Sequence, residues 1–468
     1  MNVLTKDLLK MTMLIQKTEN MNGKYRQKFH IMPVTGWLND PNGLCCFNGK
    51  YHVFYQYSPF QVDGGLKMWG HCTSSDLIEW TQKEPAILPD QPYDCHGVYS
   101  GTAFIEDGKM YLYYTGNVKE EGDYDYITEG RRSNTILAES CDGEHFGNKK
   151  EMMNNEDYPE FVTQHVRDPK VWKENGRYYM LLGARSNADE GMALVFVSED
   201  RVNWKYSHSI QTKSFFGYMW ECPDYIQFGE RAILSVCVQE KKSENGKDVY
   251  RDNNGFFYID GDITEKCSLS EYHTWDYGFD YYAPQSFVSE DGRIIQIAWM
   301  GMPGSSGYVN LTIEDGWQHC LTFPREIFLK DGKVLQQPVR ELESYLELEE
   351  WKENVLDVYG SAAGIISVDC ISNNNFRAVL AEELILEYKN GMFSMFFTDC
   401  SKKAASGGRT RRSIEIECLR SIKIIKDSSS AEVFLNDGEA VFSTRYYPQN
   451  ERVQVWTEGN IYLYRVRI

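Results

Sequence analysis

An Asn-Gly or Asp-Gly pair followed by an apolar-aromatic run returns repeatedly along the first two-thirds of this chain. It stands at Phe47-Asn-Gly-Lys-Tyr-His-Val-Phe-Tyr55, Glu106-Asp-Gly-Lys-Met-Tyr-Leu-Tyr-Tyr114, Glu174-Asn-Gly-Arg-Tyr-Tyr-Met-Leu-Leu182 and Glu290-Asp-Gly-Arg-Ile-Ile-Gln-Ile-Ala298. A weaker copy is Phe228-Gly-Glu-Arg-Ala-Ile-Leu-Ser235. Both central residues of a two-residue hairpin turn take φ > 0, which these dipeptides tolerate, so each copy predicts a hairpin. The turn glycines, Gly49, Gly108, Gly176, Gly229 and Gly292, lie 53 to 68 residues apart. A second phrase, Ser-x-Asp-x-x-x-aromatic, follows three of the hairpins, at Ser74 to Trp80, Ser140 to Phe146 and Ser198 to Trp204. A strand module recurring at a near-constant period signals a propeller or array. Five such units predict a five-bladed β-propeller over residues 28–330. A sandwich of unrelated hairpins would leave the two interleaved phrases unexplained.

The pattern changes after Leu329. Residues 331–353 read as a linker, with the acidic stretch Glu341 to Glu353 forming a short helix or connector. From residue 354 to 468 short apolar or alternating runs and the hairpin Ala431-Glu-Val-Phe-Leu-Asn-Asp-Gly-Glu-Ala-Val-Phe442 predict a C-terminal β-sandwich, making the chain all-β. Ser406-Gly-Gly-Arg-Thr-Arg-Arg412 reads as an exposed loop with solvated arginines. The sandwich is expected to support stability rather than chemistry.

A net charge of −19 disfavours nucleic acid and anionic membrane as partners. The cysteines include no CxxC pair, so neither a metal cluster nor a disulfide framework is expected. Residues 1–27, a segment able to form a helix, mix charge with short apolar runs such as Met11-Thr-Met-Leu-Ile15 and lack a signal-peptide h-region. No run reaches the ~20 apolar residues of a membrane span. The expectation is a reduced, cytoplasmic protein, monomeric or homodimeric.

Asp40 lies nine residues before Gly49, Asp168 eight before Gly176 and Glu221 eight before Gly229; Ser100 and Ala283-Pro284 hold the slot in the other two repeats. First strands of propeller blades line the central channel, so the three acids converge. Calcium would explain such a ring. Their neighbours favour sugar chemistry instead: Trp37, Gln56, Trp69, Tyr99, Trp220, Tyr281 and Tyr282 offer stacking faces and hydrogen bonds. Glycoside cleavage needs one ionised and one protonated carboxyl group. Arg167 is expected to keep Asp168 ionised, unless the two form a structural ion pair only, and the apolar neighbours Trp220 and Cys222 to favour a protonated Glu221.

These residues resemble glycoside hydrolase family 32, the invertase, levanase and sucrose-6-phosphate hydrolase family. His30-x-x-Pro33-x-x-Gly36-Trp-Leu-Asn-Asp-Pro-Asn-Gly43 is similar to its signature, Arg167-Asp168-Pro169 to its second block and Trp220-Glu-Cys-Pro-Asp224 to its third. Further matches are Phe54-Tyr-Gln56, Tyr99-Ser-Gly101, Gly278-Phe-Asp-Tyr-Tyr-Ala-Pro-Gln285 and Trp299-Met300, and the likeness spans Tyr25 to Glu341 and Glu432 to Pro448. The resemblance implies a five-bladed propeller with a β-sandwich and a retaining β-fructofuranosidase without cofactor or metal. It implies Asp40 as nucleophile, Glu221 as acid/base and Asp168 on the fructose hydroxyls. Trp37, Asn39, Gln56, Trp69, Tyr99, Ser100, Arg167, Cys222, Asp280, Tyr282 and Trp299 become the expected substrate-binding residues. The chain departs from many members at Phe60-Gln-Val-Asp-Gly-Gly-Leu66, which lacks a fructose-site aromatic; either Phe60 or Trp69 substitutes, or binding differs there. Expected substrates are sucrose, sucrose 6-phosphate and short fructo-oligosaccharides. Lys67, Arg131, Arg132 and Arg185, with His96 as a weaker donor, are the candidate phosphate contacts. A non-catalytic fructan-binding propeller and an inverting arabinan-type glycosidase are the competing functions.

Overall fold

The computed structural model describes residues 3–18, 23–126, 129–244, 247–304, 307–360, 363–369 and 375–468. Five sheets of four antiparallel strands each, the first joined by a fifth strand from late in the chain, are opened by the strands Gly36–Phe47, Val98–Glu106, Val162–Glu174, Met219–Phe228 and Tyr282–Val288. They are the blades of a five-bladed propeller. The hairpin turns behave as their dipeptides require: Asn48, Asp107 and Asn175 take φ of 48–51°, followed by Gly49, Gly108 and Gly176 at 70–81°. The ring is tied by a late strand, Trp317–Gln318, which pairs in parallel with Gly36 and Trp37 of the first blade.

Each blade buries both faces against its neighbours, which is why its strands read as near-continuous apolar runs rather than clean alternation. Phe54 and Trp69 meet Leu112 and Tyr114 between blades one and two. Tyr113 meets Met180 and Leu194 between two and three. Leu181 and Val195 pack on Trp220 and Phe257 between three and four.

In the C-terminal β-sandwich the long strand Arg452–Val466 belongs to both layers. Its first half pairs with Asn375–Leu380 and its second half with Gly364–Asp369. The residues expected as a linker, 331–353, are filled differently. Lys333–Pro338 is the last strand of blade five, Arg340–Tyr345 is a 3-10 turn, and Leu346–Tyr359 is an edge strand running along Arg452–Val466. The alternating Glu-Leu-Glu pattern is strand periodicity, and the exposed Glu353 and Asp357 discourage further pairing at a sheet edge. At the other end Val3–Thr18 is an α-helix; residues 1–2 and 19–22 of the expected N-terminal segment lie outside the described residues. No helix is long and apolar enough to cross a membrane among the described residues.

Propeller and sandwich are joined by a fully buried ionic network. His30 sets Nδ1 2.7 Å from Asp427 and Nε2 3.0 Å from Glu432, so both ring nitrogens must carry protons. Burial opposes that charge, but the two carboxylates outweigh it and raise the imidazole to about 9. Arg325 completes the network by reaching Glu432 and Asp276. A folded-state value above the unfolded ~6.5 means that the stabilisation is whole below pH 6.5 and is lost as pH rises through 9. Melting temperature is therefore expected to fall between pH 6.5 and 9.5 in the native chain, and far less steeply in His30→Asn, whose Tm starts lower. Parallel Tm–pH curves would remove His30 as the cause.

Candidate active site

The first strand of every blade is broken at the same height. Register slips by one residue, two residues standing opposite one, between Leu38 and Pro41, Val98 and Gly101, Arg167 and Lys170, Glu221 and Asp224, and Tyr282 and Gln285. Asp168, Cys222 and Ala283 take φ of 65°, 48° and 48° in these bulges, and each is followed by proline. Such bulges re-aim side chains next to functional sites.

Asp40 and Asp168 sit within their bulges, but Glu221 does not. It is the last paired residue before its bulge, the place that Arg167 and Tyr282 hold in blades three and five. Counting back from Gly229 misplaced it because that turn carries glycine first, as Gly229-Glu230 between Phe228 and Arg231, whereas the two-residue turns of the first three blades carry it second. The consequence is chemical. The three equivalent side chains meet: Arg167 Nη2 lies 2.7 Å from Glu221 Oε1, and the Tyr282 hydroxyl donates to Glu221 Oε2 at 2.7 Å.

Glu221, Asp40, Cys222, Asp280, Tyr282, Trp37, Asn39 and Trp299 line one cavity of about 520 Å³. Asp40 accepts hydrogen bonds from Ser100 (2.6 Å) and Asn39 (3.0 Å), and the Trp37 indole holds Asn39 in turn at 2.7 Å. Burial raises its carboxyl from the ordinary value, against those two donors. Asp168 is buried and accepts from the Cys222 amide at 2.8 Å. Burial raises it to about 7, more than Arg167 can offset. The expectation that Arg167 holds Asp168 ionised fails first on burial, which outweighs the cation, and then on geometry: Nε is 3.9 Å from Asp168, while the guanidinium makes its short contact with Glu221. The apolar setting expected for Glu221 is absent too, because strand alternation sends Trp220 into the core between blades and leaves Glu221 facing polar partners.

Gln56 is buried with no partner for Nε2 among the described residues, and Trp299 Nε1 is idle in the same way. Of the two, Trp299 lines the cavity. Tyr99 is half-buried, and its carbonyl accepts the Trp69 indole N–H at 3.0 Å. Trp69 itself is wholly buried among Phe54, Leu112 and Tyr114, so it cannot stack on a sugar. Phe60 packs at the edge of another core cluster. Neither replaces the absent aromatic. Lys67 occupies the cavity instead, its Nζ 4.8 Å from the Trp37 ring, with burial lowering it to about 7 against the pull of Asp40 and Asp63. Asp280 lines the cavity, but Arg409 takes both of its oxygens at 2.5 and 2.7 Å. Arg409 is therefore buried, not the solvated loop arginine that its Gly-rich surroundings suggested. No sequence signal marked it, nor Asn310 and His319, which also line the cavity. Among the described residues no group of three or more His, Cys, Asp or Glu is placed to hold a metal ion.

A propeller channel holding three carboxylates beside idle indole and amide donors has the chemistry of a glycoside hydrolase. The chain belongs to glycosyl hydrolases family 32: the model of the family's N-terminal domain matches residues 30–338, and that of its C-terminal part matches residues 396–466. It is 35% identical to the sucrose-6-phosphate hydrolase of Bacillus subtilis over 91% of this chain and 89% of that protein. The structure of sucrose-6-phosphate hydrolase from Lactobacillus gasseri superposes with a TM-score of 0.87 at 27% identity, covering 98% of this chain and 96% of the other. A Bombyx mori β-fructofuranosidase gives 0.84 at 27% identity, covering 100% and 99%.

Proposed function

We propose that this enzyme hydrolyses the fructosyl bond of sucrose and sucrose 6-phosphate with retention at the anomeric carbon. The observation that carries the reading is the unlike pair in one cavity: Asp40 is held by neutral donors from Asn39 and Ser100, Glu221 by Arg167 and Tyr282. Asp40 attacks the fructose anomeric carbon as Glu221 gives a proton to the departing glucosyl oxygen, forming a fructosyl ester. Glu221 then takes a proton from water, which attacks the same carbon and frees Asp40. Asp168 accepts hydrogen bonds from fructose hydroxyls, with Gln56 and Trp299 as donors. In this buried space desolvation raises Asp168 and lowers Lys67, each to about 7.

The leaving group is assigned by where the cations stand. Lys67 is on the Asp40 side, over Trp37. Arg131 and Arg185 are on the Glu221 side, around His165, which bonds Arg167 at 3.0 Å and is driven down to about 2 by burial and by Arg167, Arg131 and Arg185. Arg131 Nε is buried and has no hydrogen bond among the described residues, and Arg185 lies over the Tyr218 ring with an exposed Asp189 as its counter-ion. Guanidinium groups there suit a dianion on the glucosyl leaving group. Arg132 and His96 do not join them: the first is exposed near Glu120, and the second bonds the Lys119 amide. A phosphate ester formed inside a cell cannot leave across the bilayer, and the cytoplasm is the proposed place of work. Specificity constants for sucrose, sucrose 6-phosphate and kestose test the reading. Arg131→Met and Arg185→Met are each expected to lower kcat/KM for the phosphate ester roughly 10- to 100-fold while changing sucrose little. Equal losses on both substrates would remove the phosphate assignment, and a preference for long fructans over sucrose would remove the substrate class.

A further inference from the structure

The C-terminal sandwich reaches further into the site than a support would. Its strand Ala440–Arg445 pairs with the chain that leads into blade five: Tyr277 N donates to Val441 O at 2.8 Å, and Phe279 N and Asp280 N both donate to Ser443 O, at 2.8 and 3.1 Å. The approach is so close that a Cβ on Gly278 would stand 2.0 Å from the Ser443 carbonyl. Phe279 is buried in the sandwich core. Asp280 then receives the Arg409 fork and the Arg445 amide at 2.8 Å. Two residues on, Tyr282 donates to Glu221. Arg409 also donates to Asn310 Oδ1 at 3.1 Å, and the Asn310 amide lies 3.3 Å from His319 Nδ1. His319 in turn packs edge-on against Trp37 and Trp299, with ring centroids 4.3 and 5.0 Å apart.

We propose that Arg409 is a positioning residue for catalysis: clamping Asp280 from the sandwich, it sets the place of Tyr282 on Glu221 and of the indole wall of the cavity. The proposal rests on the reading of Glu221 as acid/base. A charged fork gripping a carboxylate two residues from a hydrogen-bonded tyrosine restricts that tyrosine more than packing alone, because both carboxylate oxygens are fixed in plane. Sub-ångström slack at Tyr282 weakens a bond that favours the ionised form of Glu221 and misaims the group that transfers the proton.

The test compares Tyr282→Phe, Arg409→Lys and the double variant in the full chain by kcat/KM–pH profiles and thermal melts. Removing a donated hydrogen bond favours the protonated carboxyl, so Tyr282→Phe is expected to move the alkaline limb to higher pH. Arg409→Lys, which keeps charge but loses the fork, is expected to move it in the same direction, with kcat down roughly 10- to 100-fold. In the double variant the limb moves no further than in Tyr282→Phe, since both act on one bond. Asp280→Asn, which keeps shape but loses charge, provides a second lesion at the clamp should Arg409→Lys fold poorly, and the same upward shift is expected of it. A lower Tm with an unmoved limb in Arg409→Lys and Asp280→Asn, beside a shifted limb in Tyr282→Phe, overturns the positioning role. An unmoved limb in Tyr282→Phe itself overturns the Glu221 reading and the proposal with it.

Discussion

Asp40→Ala is expected to reduce sucrose turnover by about 10⁴-fold or more while leaving a folded protein that still binds the sugar. The size follows from the role: a nucleophile that forms a covalent intermediate has no substitute in the site, and losses of residues acting as a unit reach that range. The retained fold follows from the surroundings. Among the described residues Asp40 accepts from neutral donors, Ser100, Asn39 and the Cys222 thiol, and burial raises its carboxyl above the ordinary value. A buried acid with a raised value destabilises the folded state in its ionised form, so deleting it also relieves Glu221 and Asp168 of a like charge. Tm is therefore expected to hold or rise in Asp40→Ala, the usual sign of a site built for chemistry at the expense of stability. The native enzyme should release β-fructofuranose first, followed by NMR before mutarotation. Residual hydrolysis within a hundredfold of native, or an α-anomer first, would strip Asp40 of the nucleophile's part.

The fold was legible because its determinants are local. Asn48-Gly49, Asp107-Gly108 and Asn175-Gly176 dictate left-handed turns by themselves, and the repeat count follows. Asp40 and Asp168 were legible for the same reason, each set in a short block read against a nearby turn. What escaped the sequence depends on packing between distant segments. Trp69 looks like a sugar platform beside Gln56, yet every residue of its strand is buried, so the indole serves the blade interface. Arg409 lies 129 residues from Asp280, in a Gly-rich stretch that promises exposure, and only the docked sandwich brings the two together. Arg167 was paired with its sequence neighbour, but a bulge at Asp168 turns that neighbour away and delivers Glu221 from the next blade. Burial then decides the titration: desolvation of Asp168 outweighs a cation only 3.9 Å away.

Glu221→Gln separates the acid/base reading from a purely electrostatic one. General acid catalysis contributes roughly 10²–10⁴-fold, and a loss of that order in kcat on sucrose is expected. The amide keeps the volume; its oxygen can still accept from Arg167 and its NH2 can donate to the Tyr282 hydroxyl oxygen, so folding and KM should change little. Loss of the proton donor should also erase the alkaline limb of the kcat/KM profile. The penalty should depend on the leaving group. A glucosyl alkoxide needs protonation, whereas fluoride departs without it, so the variant is expected to lose far less activity on β-fructofuranosyl fluoride. The remaining carboxylates should feel the change as well. Arg167 loses the charge of its 2.7 Å partner beside Asp168, and a negative charge has left the cavity. Both effects lower Asp168 from about 7. A group whose deprotonation is needed at the fructose hydroxyls would then ionise at lower pH, and the acid limb should move down as the alkaline limb disappears. A variant that loses rate equally on sucrose and on the fluoride, with both limbs in place, would show that Glu221 transfers no proton.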